Sequence, residues 1–305
     1  MNTRPRIVVV GSTMIDLVAY ADPLPRAGET VFGSSFRLGF GGKGANQAVM
    51  AARLGAEVVF VNRVGDDVFG RMTLENLAEQ GLDTRAVRPV AGATTGVAPI
   101  WVEQDGMNRI IVVPGANESV TAEAVREELG AIEGADCVIC QLEVPQEAAA
   151  AAFELGRSWG CPTVLNPAPA ATLDPNLLSL ADWLIPNESE FELLFGGAPD
   201  ATSIAAVSGP RAVVTLGEAG AACWDNGALL RIAAPKVEVV DTTGAGDAFV
   251  AGFGFGLATG RDLTDAIALG NACGALSVGG RGTQTSFPSR SAVDALLAGT
   301  SVAPS

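Results

Sequence analysis

Small residues lead into a carboxylate and then into an apolar helical pattern at Asp241-Thr242-Thr243-Gly244-Ala245-Gly246-Asp247. The start of a helix leaves several backbone N–H groups unpaired and carries positive partial charge, so glycines before it make a seat for an anion. Asp247 would lie in that seat as a potential base. The sequence therefore predicts phosphoryl transfer, in which a hydroxyl attacks a phosphate whose charge must be stabilised.

A second glycine-rich segment, Gly41-Gly42-Lys43-Gly44-Ala45-Asn46-Gln47, opens another helical pattern. Its glycines allow the backbone to approach a ligand closely. Lys43 adds a charge, and Asn46 adds an amide that both donates and accepts hydrogen bonds. The segment is a candidate binding loop, with an ordinary glycine turn as the alternative.

Two familiar nucleotide motifs do not fit this second segment. Gly39, Gly41 and Gly44 have the spacing of a dinucleotide fingerprint, but that pattern belongs after the first strand, where Gly11-Ser12-Thr13 lacks it. A P-loop needs Ser or Thr after its lysine, whereas Gly44 follows Lys43. The segment therefore matches neither of these two motifs.

Carboxylates follow two of the predicted strands. Asp16 comes shortly after the strand at 7–10, and Glu143 follows the strand at 137–140 in the same way. A carboxylate at the carboxyl end of a strand can accept hydrogen bonds from two neighbouring sugar hydroxyls. Either residue alone could be a turn or cap residue, but their joint position favours one sugar site.

Two further segments point to a nucleotide. Asn187-Glu188-Ser189-Glu190 places an amide and a carboxylate on one helical turn, where they could hold Mg²⁺ through its waters. A helix cap with an acidic first turn is the alternative. Thr215-Leu216-Gly217-Glu218-Ala219-Gly220 is a strand end followed by a turn, against which a nucleotide could lie.

Charge and composition exclude several classes of function. The formal net charge of −15 argues against a general nucleic-acid binder, because nothing could neutralise a row of phosphates. The chain has no histidine, which excludes a Ser-His-Asp triad, a Cys-His pair and a histidine metal site. A general base must be a carboxylate, a lysine or a tyrosine.

The five cysteines are odd in number and lie mostly in apolar segments, which indicates reduced, buried thiols. Cys137 and Cys140 form a C-x-x-C, but a strand would point them to opposite faces, which argues against a metal or redox role. The amino-terminal basic residues and the apolar run at 7–10 imitate a secretion signal. That run is too short, so a buried first strand is the better interpretation. We expect a cytoplasmic protein without membrane association.

Short β-branched runs alternate with helical patterns along most of the 305 residues. The predicted strands are 7–10, 58–61, 137–140, 163–165, 183–185 and 212–216. The predicted helices are 45–54, 69–80, 146–159, 188–195, 245–258, 263–278 and 292–297. This α/β alternation predicts a mainly parallel sheet flanked by helices, with sites at the carboxyl ends of its strands.

Two segments, about 17–38 and 94–113, show strand-like alternation beside glycine-rich turns. They predict a small antiparallel lid over one edge of the main sheet. The tail at 299–305 is predicted to fray.

Taken together, the motifs resemble the ribokinase branch of the PfkB family of carbohydrate kinases over nearly the whole chain. The segments at 41–48 and 241–247 resemble its two signature motifs, and 187–190 its N-x-x-E motif. Thr95-Gly96-Val97-Ala98, Asn108 and Gly115-Ala116-Asn117 resemble its lid. The resemblance implies a single ribokinase-like α/β domain over 1–305, with a lid formed by the insertions at about 17–38 and 94–113.

The resemblance also implies a reaction. Asp247 would remove the proton from the 5-hydroxyl of D-ribose as it attacks the γ-phosphate of ATP. Gly244 through Asp247 would form an anion hole, with the backbone N–H groups of Ala245, Gly246 and Asp247 stabilising the transferring group. The implied sugar-binding residues are Met14, Asp16, Gly42, Lys43, Gly44, Asn46, Glu143 and Asp247.

Nucleotide, metal and partner sites are implied in the same way. The nucleotide residues would be Asn187, Thr215, Gly217, Glu218, Gly220, Gly246 and Asn271. Mg²⁺ would be held by Asn187 and Glu190 through water. A monovalent cation, K⁺, would be held at Asp241, Thr243, Ser277, Gly280, Gly282 and Ser286. The resemblance further implies a homodimer formed through the lid, with only small molecules as other partners.

One departure leaves the substrate open. Many bacterial ribokinases have an asparagine where this chain has Met14, so a changed pentose preference is an alternative. Another PfkB kinase, acting on a nucleoside, fructose or a sugar phosphate, is a second. A sugar-binding regulator without catalysis is a third, although binding alone requires neither Asp247 in its glycine seat nor the N-x-x-E motif.

Overall fold

The computed structural model describes residues 4–103 and 106–299, and the predicted frayed tail lies outside the described residues from position 300 onward. The strands are β1 (Arg6–Val10), β2 (Met14–Tyr20), β3 (Ser35–Gly41), β4 (Glu57–Gly65), β5 (Val87–Val90), β6 (Val97–Val102), β7 (Asn108–Ile110), β8 (Cys137–Cys140), β9 (Thr163–Leu165), β10 (Trp183–Leu184), β11 (Arg211–Thr215), β12 (Ala221–Asp225) and β13 (Ala228–Ile232). The helices are α1 (Lys43–Arg53), α2 (Val68–Glu79), α3 (Ala122–Leu129), α4 (Gln146–Trp159), α5 (Pro175–Leu180), α6 (Glu188–Phe195), α7 (Ala201–Ala205), α8 (Ala245–Ala258), α9 (Leu263–Ser277) and α10 (Arg290–Gly299).

The main sheet has nine strands in the order β13-β12-β11-β10-β9-β8-β1-β4-β5. Every pairing from β11 to β5 is parallel, and β12 and β13 add an antiparallel hairpin at one edge. Parallel strands need helical crossovers, which cover both faces of such a sheet. The predicted α/β fold class is confirmed.

Apolar side chains of the central strands alternate between two cores. Ile7 and Val9 belong to one buried cluster, whereas Val8 and Val10 belong to the other. Cys137 and Cys140 divide in the same way, which confirms that the C-x-x-C points to opposite faces of the sheet. All five cysteines are free and buried, and burial raises the pKa of the Cys140 thiol.

A second, four-stranded sheet has the order β3-β2-β6-β7. Its outer ladders, β2 with β3 and β6 with β7, are antiparallel, while β2 and β6 pair in parallel. The segments expected at about 17–38 and 94–113 supply these strands, but β2 already begins at Met14 and β3 continues to Gly41. The small sheet therefore reaches into the predicted sugar site.

The hairpin of β12 and β13 was missed by the sequence analysis, although the sequence signals it. Asn226 (φ 47°) and Gly227 (φ 82°) form its two-residue turn, and both adopt the positive φ that a type I′ turn requires. Strand β5 and helices α3, α5 and α7 were also not predicted from the sequence. The differences at the ends of the predicted elements are small: β10 ends at Leu184 instead of 185, β11 ends at Thr215 instead of 216, and α1 begins at Lys43.

Helices α8 and α9 pack backbone against backbone. A Cβ atom at Gly252 would lie 3.0 Å from the Cα atom of Gly270, and one at Gly256 would lie 2.8 Å from the Cα atom of Ala266. Only a residue without a side chain fits such contacts.

Among the described residues, none of the helices has the length and hydropathy that a membrane span requires.

Candidate active site

The predicted anion seat lies at the start of α8. Gly244 precedes the helix with φ 80°, a left-handed conformation that glycine adopts without strain. The Ala245 N–H donates to the Thr242 carbonyl at 3.2 Å, so it is already used by the turn. The N–H groups of Gly246 and Asp247 donate to no other described residue. These two, with the positive end of the helix, are what the loop offers to an anion.

Asp247 is held firmly in the first turn of α8 and is only 7% exposed. Its Oδ2 accepts from Asn46 Nδ2 at 2.8 Å, and its Oδ1 accepts from Gln47 Nε2 at 3.0 Å. The two donors are neighbours at the start of α1. The structure therefore joins the two glycine-rich segments at one carboxylate.

The ammonium group of Lys43 lies near the carboxylates of Asp247, Glu143 and Glu190. Burial lowers the pKa of its ammonium group, but the nearby Asp247, Glu143 and Glu190 more than offset this, so the pKa lies above its usual value. Lys43 is therefore a fixed positive charge among three carboxylates.

Asp16 and Glu143 lie close together, as predicted, although Asp16 lies within β2 and does not directly follow β1. Glu143 Oε2 accepts from the Lys43 backbone N–H at 2.8 Å and from the Ser12 hydroxyl. Burial raises the pKa of Asp16 to about 6, the charge on Glu143 adds to this rise, and Arg37 opposes it. The two carboxylates are suited to accept hydrogen bonds from hydroxyls.

The remaining predicted sugar residues line the same region. Gly42 has φ 88°, and a Cβ atom there would lie 2.7 Å from the Cα atom of Thr13. A Cβ atom at Gly44 would lie 2.5 Å from the Ser12 backbone nitrogen. Met14 is buried, with its sulfur 3.8 Å from Asn117 Nδ2. The glycines thus bring α1 against the turn that follows β1.

Asn187 and Glu190 form a capping box at the start of α6. Asn187 Oδ1 accepts from the Glu190 N–H, and Glu190 Oε2 accepts from the Asn187 N–H, both at 2.8 Å. The helix-cap alternative is therefore realised. No group of three or more acidic or cysteine side chains in the described residues could enclose a metal. This donor set fits Mg²⁺ held through its waters, which is how that ion is often bound beside phosphates.

Two cavities adjoin near Asp247, and of the predicted sugar residues only Lys43 and Asp247 line either of them. The smaller, about 180 Å³, is lined by Lys43, Asn187, Glu190 and Asp247 among others. The larger, about 910 Å³, is bordered by apolar residues such as Val237. The predicted nucleotide residues in its lining are Thr215, Gly217, Glu218, Gly220, Gly246 and Asn271. Asn187 lies only in the smaller cavity, while Thr215 and Gly246 border both.

The carboxylate of Asp241 joins two segments of the expected cation site by hydrogen bonds, one at Thr243 and one at Gly282. Its Oδ1 accepts from the N–H and hydroxyl of Thr243, and its Oδ2 accepts from the Gly282 N–H at 2.9 Å. Burial raises the pKa of Asp241, but these hydrogen bonds and Arg37 outweigh it and lower the pKa below its usual value. The carboxylate is thus held charged behind the anion seat.

The other expected cation residues lie at the end of α9 and in the loop that follows it. The Ser286 hydroxyl donates to the Gly282 carbonyl, and a Cβ atom at Gly280 would lie 3.2 Å from Ser286 Cβ. The Ser277 hydroxyl donates to the Gly274 carbonyl within α9 and so is engaged there. An all-oxygen donor set of this kind suits a hard cation.

Several site residues were missed from the sequence. Asn166 directly follows β9, much as Glu143 follows β8, so the same strand-end argument could have found it. Gln47 stands next to Asn46 in a motif already singled out. Lys236 lines the larger cavity, and Arg37 influences both Asp16 and Asp241. No signal in the sequence marks Lys236 or Arg37.

A carboxylate at a glycine-bordered helix start, placed between a polar subsite and a nucleotide-sized cavity, defines a kinase of small hydroxylated molecules. The family model described as "pfkB family carbohydrate kinase" matches residues 4–290, and the chain belongs to this family of ATP-dependent sugar kinases.

Individual relatives are similar over nearly their whole length. The chain is 41% identical to the ribokinase of Bacillus subtilis, covering 95% of this chain and 99% of the relative. It is 37% identical to a deoxyribokinase of Salmonella typhimurium, covering 93% and 95%. Among solved structures, Arabidopsis thaliana ribokinase complexed with ribose and ATP superposes with a TM-score of 0.88 at 32% identity, covering 97% and 99%.

Proposed function

We propose that the protein transfers the γ-phosphate of ATP to the 5-hydroxyl of D-ribose, with Asp247 as the general base. The observation that carries this proposal is the position of the Asp247 carboxylate, which lines the smaller cavity next to Gly246 and is held by Asn46 and Gln47. The names of the relatives and the ribose and ATP bound to the Arabidopsis structure support it.

In this reaction the sugar's O–H bond breaks and its proton passes to Asp247. The sugar oxygen forms a bond to the γ-phosphorus, the bond to the β,γ-bridging oxygen breaks, and ADP leaves. The N–H groups of Gly246 and Asp247 would stabilise charge on the transferring group, and Lys43 would balance the surrounding carboxylates. Mg²⁺, when held near Asn187 and Glu190, would neutralise the phosphate oxygens.

The test is ADP release by Asp247→Ala over ribose, deoxyribose, fructose, sugar phosphates and nucleosides, with ATP, Mg²⁺ and K⁺ present. Loss of a general base lowers kcat by roughly 10²–10⁴-fold. Ribose binding, measured by calorimetry, should be much less affected. Asp294→Asn is the matched control, because Asp294 forms an exposed pair with Arg290. Retention of most of the kcat in Asp247→Ala refutes the base assignment.

A second candidate substrate is 2-deoxyribose, because Met14 places an apolar thioether where the sugar is expected. A hydrogen-bonding wall rejects a sugar that lacks one hydroxyl, since its own polar group is left unpaired, whereas an apolar wall discriminates weakly. The similar Salmonella deoxyribokinase supports this alternative. The ratio of kcat/KM for ribose and 2-deoxyribose should rise in Met14→Asn, and an unchanged ratio speaks against a role for Met14.

A monovalent cation would hold the loop around Asp241 without touching the substrates. The oxygen atoms gathered there support K⁺ at this place. Rates in potassium chloride and tetramethylammonium chloride of equal ionic strength should differ severalfold, and equal rates contradict the cation site.

The small sheet would serve as a lid and as the contact of a homodimer. Its exposed apolar residues Phe36 and Ile110 support this assignment. Phe36→Asp should lower the mass measured by light scattering, whereas a monomeric wild-type protein refutes the dimer. The five reduced thiols agree with a cytoplasmic location, which cell fractionation would test.

A further inference from the structure

We infer that Gln47 is a positioning residue for the reaction: it fixes the orientation of the Asp247 carboxylate through a buried chain of side-chain amides. The inference rests on the proposed role of Asp247 as the base. Gln47 is fully buried, and its amide nitrogen and oxygen are engaged by Asp247, Asn166 and Gln141, so it acts through Asp247 and not on a substrate.

Gln47 ties Asp247 to the carboxyl ends of neighbouring strands. Its Nε2 donates to Asp247 Oδ1 at 3.0 Å and to Asn166 Oδ1 at 3.1 Å. Its Oε1 accepts from Nε2 of Gln141 at 2.5 Å. Gln141 follows β8 and Asn166 follows β9, while Asn166 Nδ2 donates to the carbonyl of Ile185 after β10. These hydrogen bonds connect Asp247 to the carboxyl ends of three adjacent strands of the main sheet, β8, β9 and β10.

The other oxygen of Asp247 is held by a second amide chain of the same direction. Asn76 Nδ2 donates to Gln284 Oε1 at 2.8 Å, and Gln284 Nε2 donates to Asn46 Oδ1 at 3.3 Å. Asn46 then donates to Asp247 Oδ2. With one donor fixed on each oxygen, the carboxylate cannot rotate about its Cβ–Cγ bond without losing both.

The charge on Asp247 sets the direction of the whole Gln47 chain. An ionised carboxylate only accepts hydrogen bonds, so Gln47 must present its NH₂ group to it and its oxygen to Gln141. Gln141 must then donate, which turns its own oxygen toward Gly11. That oxygen is buried and has no hydrogen-bond partner among the described residues. The unsatisfied atom is the far end of a chain oriented for the base, which is expected when function and not stability dictates a network.

The test compares Gln47→Met with the wild type, because methionine has nearly the same length but no amide. The carboxylate then loses one of its two fixed donors. We expect kcat to fall on the order of 10- to 100-fold, since small misplacements of a catalytic group cost this much. KM values for ribose and ATP should stay within roughly threefold, because Gln47 is fully buried and its polar atoms bond only to other protein side chains.

Gln141→Met interrupts the same chain one step further away. It should lower kcat less than Gln47→Met does, with KM values again preserved. Gln80→Met is the matched control, because Gln80 is partly buried and bonds to Arg53 on another part of α1 and α2. Its kcat should equal that of the wild type.

The outcomes separate this inference from the proposed function. If Asp247→Asn keeps its kcat, the base assignment fails and the positioning role fails with it. If Asp247→Asn is inactive while Gln47→Met keeps a wild-type kcat, only the positioning role fails. A loss of kcat in Gln47→Met that comes with equal increases in both KM values also overturns it, since this would mark a general structural defect. If Gln47→Met does not fold, as judged by thermal unfolding, Gln141→Met decides, and a wild-type kcat there refutes the inference.

Discussion

The carboxylate of Asp16 lies directly against the backbone of Gly41, so that a Cβ atom at Gly41 would stand 2.7 Å from Asp16 Oδ2. Gly41→Ala should therefore push the Asp16 carboxylate out of the sugar subsite. Hydrogen bonds to a charged group contribute about 1.5–3 kcal/mol, so the KM for ribose should rise roughly 10- to 100-fold. The KM for ATP, measured in the same assay, should not change.

Gly39 offers a matched control on the same strand. A Cβ atom there would lie 3.5 Å from Asp16 Cβ, which is an ordinary van der Waals distance. Gly39→Ala should change the KM for ribose much less than Gly41→Ala does. Equal effects of the two substitutions would mean that the contact with Asp16 is not the cause.

Asp16 should destabilise the free protein at neutral pH. Its pKa is raised by burial from 3.8 to about 6, so the folded state holds a proton that the unfolded state has already released. The stability contributed by this proton is present below pH 4 and is lost as the pH rises through 6. Asp16→Asn should therefore raise the free energy of unfolding at pH 8 by on the order of 1–3 kcal/mol, with the gain vanishing near pH 4.

Sugar binding should favour the charged form of Asp16, whereas the stability of the free protein favours the neutral form. The neutral Asp16 carboxyl loses the charge-assisted hydrogen bonds, so the KM for ribose in the wild type should rise as the pH falls through about 6. Urea unfolding and sugar titrations at pH 4.5 and pH 8 measure both effects. An Asp16→Asn protein less stable than the wild type at pH 8 contradicts the predicted penalty.

Asn271 should affect the binding of ATP without affecting the binding of ribose. Its Nδ2 donates to the carbonyl of Ile232 at 2.9 Å and so fixes the segment that leads to Ala234 and Lys236 in the larger cavity. Asn271→Leu should raise the KM for ATP about tenfold, the equivalent of one lost hydrogen bond of about 1.4 kcal/mol. The KM for ribose should be unchanged, and a rise in both would indicate general disruption.

Loss of the Asn117 side chain should lower the free energy of unfolding far more than loss of an exposed asparagine does. It is fully buried, accepts from the Thr13 N–H and from Asn62 Nδ2, and donates to the carbonyls of Thr13 and Pro114. Asn117→Ala leaves these buried groups unpaired and should lower the free energy of unfolding by on the order of 3 kcal/mol. The exposed Asn176→Ala should change it by less than about 0.5 kcal/mol. A loss below 1 kcal/mol for Asn117→Ala would show that water replaces its partners.

The sequence predicted the parallel sheet and the proximity of Asp16 to Glu143. The strand-end argument holds for Glu143, which follows β8, whereas Asp16 lies within β2 of the small sheet, which begins a few residues after β1. The sequence could not decide between a cap and a metal motif at Asn187 and Glu190, since the same spacing serves both. The hydrogen bonds of Gln47 join residues 94 to 200 positions apart in the chain, and no local pattern encodes such pairings. The use of the Ala245 N–H within its own turn was equally invisible, because it depends on the backbone path and not on residue types.

The glycines of α8 hold this helix closely against α9, because a Cβ atom at Gly252 or Gly256 would clash with it. We therefore expect α8, which carries Asp247, to move little, and adjustment to the size of the sugar to come from the small sheet. Hydrogen exchange should accordingly slow on ribose binding in β2, β3 and β6 and stay unchanged in the middle of α8. Selection for a different sugar would then change residues of the small sheet and leave α8 unchanged.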